Sequence, residues 1–246
     1  MFFDIYTMYL ISIIIVLPCI LLSVWANAKV HSAFNKYDGL PTASDWTGSD
    51  TARMLLEKNG IYGVSVQHGK GHLTDNFNPQ TMSITLSEST YSSTSVAAVA
   101  VCAHEVGHVV QRECGYLPYK LRTILVPITN FGSRLAFPLV LIGVILEIVL
   151  ATTTIGDIVV FTGVCAYGLS FLFTLVTLPV ELNASSRAKQ MLAETGVLQT
   201  VEEQRGAAKV LSAAAMTYVA SSLTALMFFI RFILYVLLLT GRNRKS

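Results

Sequence analysis

The chain has 246 residues, of which 53% are hydrophobic and 13% are charged, and its formal net charge is +2. The charged share is about half that of an ordinary soluble domain. Together with a mean hydropathy of +0.58, it indicates a membrane protein of one or two domains. The small net charge gives no indication of nucleic-acid binding. The four cysteines have neither zinc-ribbon nor redox spacing, so we interpret them as buried apolar residues.

The chain begins with an apolar stretch, FFDIYTMYLISIIIVLPCILLSVWA, over residues 2–26. It exceeds the roughly 20 residues needed to cross a bilayer. Although ANA at the end of this stretch, residues 26–28, resembles a signal-peptidase site, the stretch lacks the basic start of a signal peptide. We therefore predict a retained transmembrane anchor. Three further apolar stretches, near residues 124–150, 158–180 and 216–240, bring the predicted number of transmembrane helices to about four.

The basic residues predict how these helices are oriented. With four spans, residues 27–123 and 181–212 lie on one side of the membrane and both termini lie on the other. The first side carries twelve Lys and Arg residues, whereas the other carries three, all in the terminal GRNRKS. Because an excess of basic residues favours the cytoplasm, we predict that both larger polar regions are cytoplasmic. The basic tail argues mildly for the opposite orientation.

The first polar region predicts a small α+β domain. TGSDTARMLLEKNG has Thr and Ser at its start, an apolar face and Gly60 at its end, which is typical of a capped amphipathic helix. YGVSVQ and MSITLS alternate polar and apolar residues and predict short strands. The segment HGKGHLTDNFNP between them is rich in turn-forming residues. We therefore interpret His68 and His72 as exposed loop histidines and not as metal ligands.

The stretch STYSSTSVAAVAVCAHEVGHVVQ predicts a helix with Ser or Thr as its cap, and it carries His104, Glu105 and His108. On a helix the two histidines differ by about 40° and rise by about 6 Å, so both imidazoles point the same way. This is the HExxH arrangement, in which the histidines bind zinc and the glutamate reaches a water molecule. Gly107 costs up to about 1 kcal/mol relative to Ala inside a helix. The close approach of another backbone would explain it.

A catalytic zinc site has three protein ligands and one open position. Glu181 directly follows the third apolar stretch and lies on the same predicted side of the membrane as His104. The sequence around it is typical of a helix, on which Glu181 would share a face with Ala184, Ser185 and Ala188. Since small residues follow it, this carboxylate would be able to approach the histidine helix closely. Glu181 is therefore the candidate third ligand.

Three segments carry a resemblance to a known family: SVAAVAVCAHEVGHVVQ, LPVELNASSRAKQML and GAAKVLSAAAMTYVA. Over essentially the full chain they resemble the YugP-type membrane zinc metallopeptidases. Their HExxH and Glu-x-x-Ala elements are similar to those of HtpX/Ste24-type membrane proteases. The resemblance implies an α-helical integral membrane protein with a zincin-like domain at the membrane surface. It also implies zinc on His104, His108 and Glu181, with Glu105 as general base. One departure is Ser185, where HtpX-type enzymes carry Asp.

These observations predict five segments along the chain. A transmembrane anchor (1–26) precedes a metallopeptidase domain with the HExxH helix (27–123) and a transmembrane hairpin (124–180). A helical region with the third ligand (181–212) comes next. A transmembrane helix with a basic tail (213–246) ends the chain.

The predicted function is that of a gluzincin-like zinc endopeptidase acting on membrane-proximal or unfolded proteins. Zinc would activate a water molecule, and Glu105 would act as general base. Arg187 is a candidate oxyanion stabiliser, although it would equally suit a surface or lipid-headgroup position. If the MSITLS strand is an open edge, it would hold an extended substrate by strand addition. The expected partners are a polypeptide substrate and the lipid bilayer, and other membrane proteins or a homo-oligomer are compatible with the sequence.

The main alternative is a non-catalytic membrane scaffold or assembly partner that retains a zinc site. Glu105 separates the two hypotheses, because a structural zinc site needs no base and has four protein ligands. A transporter is less favoured, since the sequence shows neither repeats nor paired broken helices.

Overall fold

The computed structural model describes residues 5–150 and 153–243. This part of the chain is mostly helical and contains one small sheet, as the sequence predicted. Its elements are α1 (Ile5–Asp38), α2 (Gly48–Lys58), β1 (Ser65–His68), β2 (Asn76–Asn78), β3 (Ser83–Leu86), α3 (Val96–Glu113), α4 (Leu117–Leu150), α5 (Thr153–Thr195) and α6 (Val201–Asn243).

Three stretches of helix within the described residues are long and apolar enough to cross a membrane: Val16–Asp38, Thr154–Thr195 and Val201–Leu237. A fourth candidate exists if Leu117–Asn130 and Arg134–Leu146 count as one span despite the 46° bend between them. Pro138 lies in this helix, and a proline removes a backbone hydrogen bond and favours such a bend. Of the four predicted spans, three therefore have an uninterrupted candidate helix and the fourth depends on the bent pair.

The chain divides into two compact units. The first consists of Met1–Val24, Leu121–Thr177 and Val219–Ser246, and the second of Trp25–Lys120 and Leu178–Tyr218. All the predicted metal ligands and catalytic residues belong to the second unit.

Within the first unit, α4 and α5 approach each other closely at glycines. A methyl group at Gly143 would lie 2.8 Å from the carbonyl oxygen of Gly156, and one at Gly163 would lie 2.8 Å from that of Ala136. Small residues let two membrane helices bring their backbones together. Val140 of α4 and Val160 of α5 are buried in one cluster with Val236 of α6.

The second unit contains the three-stranded sheet, in the order β1-β3-β2. Val66 of β1 pairs with Ile84 of β3 in parallel, and Phe77 of β2 pairs with Ile84 in antiparallel register. The predicted strands YGVSVQ and MSITLS are confirmed as β1 and β3, whereas β2 lies in a segment predicted to form only turns. Because both sides of β3 are paired, it is not the open edge that its predicted role in strand addition required.

The two predicted loop histidines are both exposed, but only one is in a loop. His68 is the last residue of β1, and its ring packs edge-on against Tyr91. His72 lies in the irregular segment before β2 and packs edge-on against Phe34. The loop prediction is therefore wrong for His68, because β1 continues one residue beyond the alternating pattern.

Side-chain caps begin the two short helices of this unit. The hydroxyl of Thr47 accepts the backbone N–H of Asp50 at the start of α2, and that of Ser95 accepts the N–H of Ala98 at the start of α3. Gly60, just beyond α2, has φ +67°, a conformation that glycine adopts at little cost. The capped helices predicted from the sequence are confirmed.

Helix α3 is the centre of the second unit, since most of its residues are buried. Its Val99 belongs to a buried cluster to which the surrounding elements also contribute: Phe34 from α1, Leu86 from β3, Leu192 from α5 and Leu211 from α6. Polar side chains on this helix are therefore held in low-dielectric surroundings, where they need partners.

The backbones of α3 and α5 touch at Gly107. A methyl group there would lie 2.7 Å from the carbonyl oxygen of Ala184 and 3.2 Å from its Cα. The close backbone approach predicted from Gly107 is confirmed, and the neighbouring residue is one of the small ones on the face of Glu181.

We expect Gly107→Ala to lower the free energy of unfolding by about 1–3 kcal/mol, because the added methyl group overpacks a backbone contact. This net loss already includes the gain in helix propensity of about 1 kcal/mol that replacing glycine by alanine brings. Gly39→Ala is the matched control, since a methyl group at Gly39 meets nothing within 4 Å. Denaturant unfolding of the purified protein measures both. Equal stability of Gly107→Ala and the unaltered protein would contradict the described contact.

Candidate active site

Two histidines of α3 and one glutamate of α5 converge at a buried point. Nε2 of His104 lies 3.2 Å from Oε2 of Glu181, and Nε2 of His108 lies 3.5 Å from the same oxygen. The three donor atoms all lie within 4.8 Å of one another. Glu181 is 1% exposed and His108 is 8% exposed. A carboxylate so deeply buried needs a positive partner.

The side chain of Gln111 determines which nitrogen of His108 carries the proton. Its Nε2 donates to the carbonyl oxygen of Val180 at 2.7 Å and to Oδ1 of Asn183 at 3.0 Å. Because these two acceptors orient the amide, its Oε1 must accept, and it lies 3.0 Å from Nδ1 of His108. In the neutral imidazole, Nδ1 is therefore protonated and the lone pair of Nε2 faces Glu181.

The second imidazole has a partner of a similar kind. The hydroxyl of Ser185 lies 3.2 Å from Nδ1 of His104, so it can accept the Nδ1–H and leave the lone pair of Nε2 facing Glu181. Ser185 is thus a hydrogen-bond partner of His104. A hydroxyl is a weaker acceptor than a carboxylate, so it orients the imidazole less strongly.

This set of donors fits zinc. Two imidazole lone pairs aimed at one carboxylate oxygen repel it unless a cation lies between them. In a tetrahedral site, zinc bonds of about 2.0–2.1 Å place neighbouring ligand atoms about 3.3 Å apart, which is close to the distances of 3.2 and 3.5 Å between Glu181 and the two histidines. Among the described residues no fourth His, Cys, Asp or Glu joins the group. Three protein ligands leave one position for water or substrate, as in catalytic zinc sites.

Glu105 lies beside this set and is itself buried. Its pKa is raised to about 7, chiefly by burial; the nearby His104 opposes the shift, and the charges of Glu181 and Asp75 add to it. The backbone N–H of Phe77 in β2 donates a hydrogen bond to its carboxylate. A carboxyl group with a pKa near neutrality is able to take up and release a proton at physiological pH.

A cavity of about 490 Å³ opens beside His104 and Glu105. Residues of α1, α3 and α6 and the segment before β2 line it. Its walls combine apolar side chains, such as Val30, Phe34 and Leu211, with polar ones, such as His72 and Asp75. The cavity is thus a place where a ligand would contact both the metal-binding group and Glu105. The sequence did not reveal it, because four separate segments build it.

Arg187, the predicted oxyanion stabiliser, is not among the residues that line this cavity. Its Nε donates to Oδ1 of Asn183 at 2.8 Å, and its Nη2 lies 3.4 Å from Sγ of Cys114. Asn183 also accepts from Gln111, so these hydrogen bonds connect Arg187 to the metal-binding group only through Asn183 and Gln111. Its role in stabilising an oxyanion stays a prediction.

The sequence reasoning missed Gln111, whose side chain is fully buried. One signal was available: Gln111 follows His108 by three residues and therefore lies on the same helical face. A polar residue at a buried position of an apolar helix also requires partners. Those partners, Val180 and Asn183, flank Glu181 in the chain.

Two imidazoles and a carboxylate, buried together beside a cavity that His104 lines, are a donor set of the kind found in catalytic zinc sites. The chain belongs to the family described as "Putative neutral zinc metallopeptidase", which matches residues 12–237. It is similar to "Putative membrane protease YugP" of Bacillus subtilis (strain 168), with 40% identity over 225 residues, which cover 91% of this chain and 95% of that protein. No solved structure matches the chain. The resemblance to YugP-type peptidases and the prediction of zinc as the cofactor are confirmed.

We expect Gln111→Leu to weaken zinc binding about 10–100-fold, the usual cost of removing a hydrogen-bond partner of a metal-ligating histidine. Competition with a chromophoric chelator measures the affinity. Gln190→Leu is the matched control, because Gln190 is exposed and hydrogen-bonded to Glu194. If both variants bound zinc as tightly as the unaltered protein, Gln111 would not orient His108.

Proposed function

We propose that this protein is a membrane-embedded, zinc-dependent endopeptidase that hydrolyses peptide bonds of membrane-proximal or unfolded polypeptides. The main support is that His104, which forms a group of potential metal ligands with His108 and Glu181, lines the cavity beside α3 together with Glu105. A site that served only to stabilise the fold would have no need for such an opening. Membership of a zinc metallopeptidase family supports the same conclusion.

In the proposed mechanism, His104, His108 and Glu181 hold the metal in a gluzincin-like HExxH arrangement. Zinc, when bound, supplies Lewis acidity and lowers the pKa of water. Glu105 takes a proton from a water molecule in the cavity while the water oxygen attacks the peptide carbonyl carbon. The Glu105 carboxyl then gives this proton to the amide nitrogen, so that the C–N bond breaks and the amine leaves. Burial raises the pKa of Glu105, which favours its taking up the proton in the first transfer.

The edge strand β2 is the proposed binding place for an extended substrate. It pairs with β3 on one side only, and its Phe77 directs a backbone N–H towards Glu105. A substrate strand alongside β2 would bring its own backbone next to the proposed base. Binding of this kind depends on an extended backbone more than on particular side chains, which favours unfolded segments as substrates. Arg187 would stabilise the oxyanion only if it left its hydrogen bond to Asn183.

We further propose that the protein is integral to the cell membrane with the active site on the cytoplasmic side. The candidate spans and the name of the relative support the membrane location. The twelve basic residues in the two larger polar regions support the orientation. The five predicted segments of the chain are part of the same proposal.

We expect a cysteine introduced at Ser44 to be protected from a membrane-impermeant thiol reagent in intact cells and labelled after lysis. The background is a chain in which the four native cysteines are replaced by alanine or serine. A cysteine at Ser246 is the control, and with four spans it should be labelled in intact cells. Labelling of the Ser44 position in intact cells would place the active site on the outside.

We expect Glu105→Gln to reduce the rate of peptide cleavage about 10²–10⁴-fold, because this is the usual contribution of a general base. The substitution preserves shape and nearly preserves volume, and the three proposed metal ligands are untouched, so zinc content should stay at one per chain. Cleavage of a casein-type unfolded polypeptide and zinc content are measured in parallel on the same preparations.

Glu113→Gln is the matched control, because Glu113 is an exposed glutamate on the same helix and pairs with Arg112. It should cleave at the unaltered rate. Equal cleavage by Glu105→Gln and the unaltered protein would remove Glu105 as the base. If neither the Glu105→Gln variant nor the unaltered protein cleaved the substrate, and both kept their biological activity, the scaffold hypothesis would be favoured.

A further inference from the structure

A second cavity, of about 500 Å³, lies between α1 and α6 within the second unit. On α1 its lining residues include Lys29, Ser32 and Lys36, which follow helical spacing along one face. The active-site cavity is lined by Val30 and Phe34 of the same helix, which lie on a different face, about 100° and 140° around the helix axis from Lys29. The second cavity is therefore separate from the active site. We call it the lysine groove and define it by Lys29, Lys36 and Lys209.

The three lysines give the groove a positive charge that the protein does not neutralise. All three are exposed, and none takes part in the ion pairs found in the described part of the chain. Two hydroxyl groups, of Ser32 and Ser212, lie in the same lining. Ammonium and hydroxyl groups are the donors that bind a phosphate ester. The charge therefore fits an anionic headgroup.

The remaining lining of the groove is apolar. Ala33 and Tyr37 contribute from α1, and Ala208, Ala213 and Met216 contribute from α6. A small water-soluble phosphate would leave this surface uncovered. An amphiphile with a negative headgroup and hydrocarbon chains would cover both parts of the lining, since removing apolar surface from water is favourable.

The positions of these residues in the chain point to the membrane surface. Trp25, which is 49% exposed, ends the first apolar stretch, and Nζ of Lys29 lies 4.6 Å from the centre of its ring. Tryptophan at the end of an apolar stretch is typical of the membrane interface. Met216 begins the last apolar stretch. The groove therefore lies close to the point where the apolar stretch of α1 ends and that of α6 begins.

We propose that the lysine groove binds the phosphate-bearing headgroup of an anionic phospholipid, with the start of an acyl chain against its apolar wall. Basic residues next to a transmembrane helix attract anionic lipids, and each lysine contributes roughly fivefold in affinity. Three lysines together contribute about 100-fold. This proposal concerns binding and is independent of the proposed peptidase activity.

The test is a lipid titration of the purified full-length protein in detergent, followed by native mass spectrometry. The probes are dioleoyl phosphatidylglycerol and dioleoyl phosphatidylcholine. Phosphatidylglycerol should bind more tightly, and the triple variant Lys29→Gln, Lys36→Gln, Lys209→Gln should weaken its binding about 100-fold, to the level of phosphatidylcholine. Ala33→Leu narrows the groove without changing its charge and should also weaken binding of phosphatidylglycerol. Zinc content verifies that each variant is folded.

The matched control is Lys58→Gln, Lys70→Gln, Lys120→Gln, which removes the same charge elsewhere in the second unit and includes Lys120, next to the apolar part of α4. It should retain the preference for phosphatidylglycerol. An equal loss in both triple variants would show general electrostatic attraction and overturn the proposal, as would no loss in either. Competition by millimolar glycerol 3-phosphate as strong as that by the lipid would identify a soluble phosphate ligand instead, which also overturns it.

Discussion

The backbone contact between α3 and α5 at Gly107 and Ala184 is the constraint on which the metal site depends. Gly107 lies between the two histidines, and Ala184 lies one helical turn after Glu181. Because the two helices meet at this level, a single carboxylate oxygen reaches both Nε2 atoms. The hydrogen bonds of Gln111 and Ser185 cross the same contact and orient the imidazoles. Helix packing, and not a flexible loop, thus arranges this site.

The parts of the site that follow from local periodicity could be predicted from the sequence. Helical spacing alone places His104 and His108 on one face, and the small residues after Glu181 indicate a helix that can approach closely. Gly107 is unfavourable inside a helix, and this predicted a close backbone contact, which the structure shows with Ala184. The caps of α2 and α3 and the strands β1 and β3 also depend on neighbouring residues, and the structure contains them.

The features that the sequence did not reveal depend on distant segments. Gln111 donates to acceptors on Val180 and Asn183, which lie 69 and 72 residues further along the chain. A local sequence pattern therefore does not predict that it orients His108. Strand β2 has three residues, too few for alternation to appear, and its pairing with β3 removes the open edge expected there. Helix α5 continues from an apolar stretch through the ligand region to Thr195, because no Gly or Pro after Glu181 interrupts it. The two cavities, which different faces of α1 line, form only when α6 packs beside this helix.

The proposed function depends on zinc being held jointly by His104, His108 and Glu181. X-ray absorption at the zinc K-edge of the purified protein, loaded with one zinc ion per chain, identifies the ligands of the metal. We expect nitrogen and oxygen neighbours at about 2.0–2.1 Å, the multiple-scattering pattern of two imidazoles and no sulfur neighbour at about 2.3 Å. A sulfur neighbour, or the pattern of fewer than two imidazoles, would contradict this expectation.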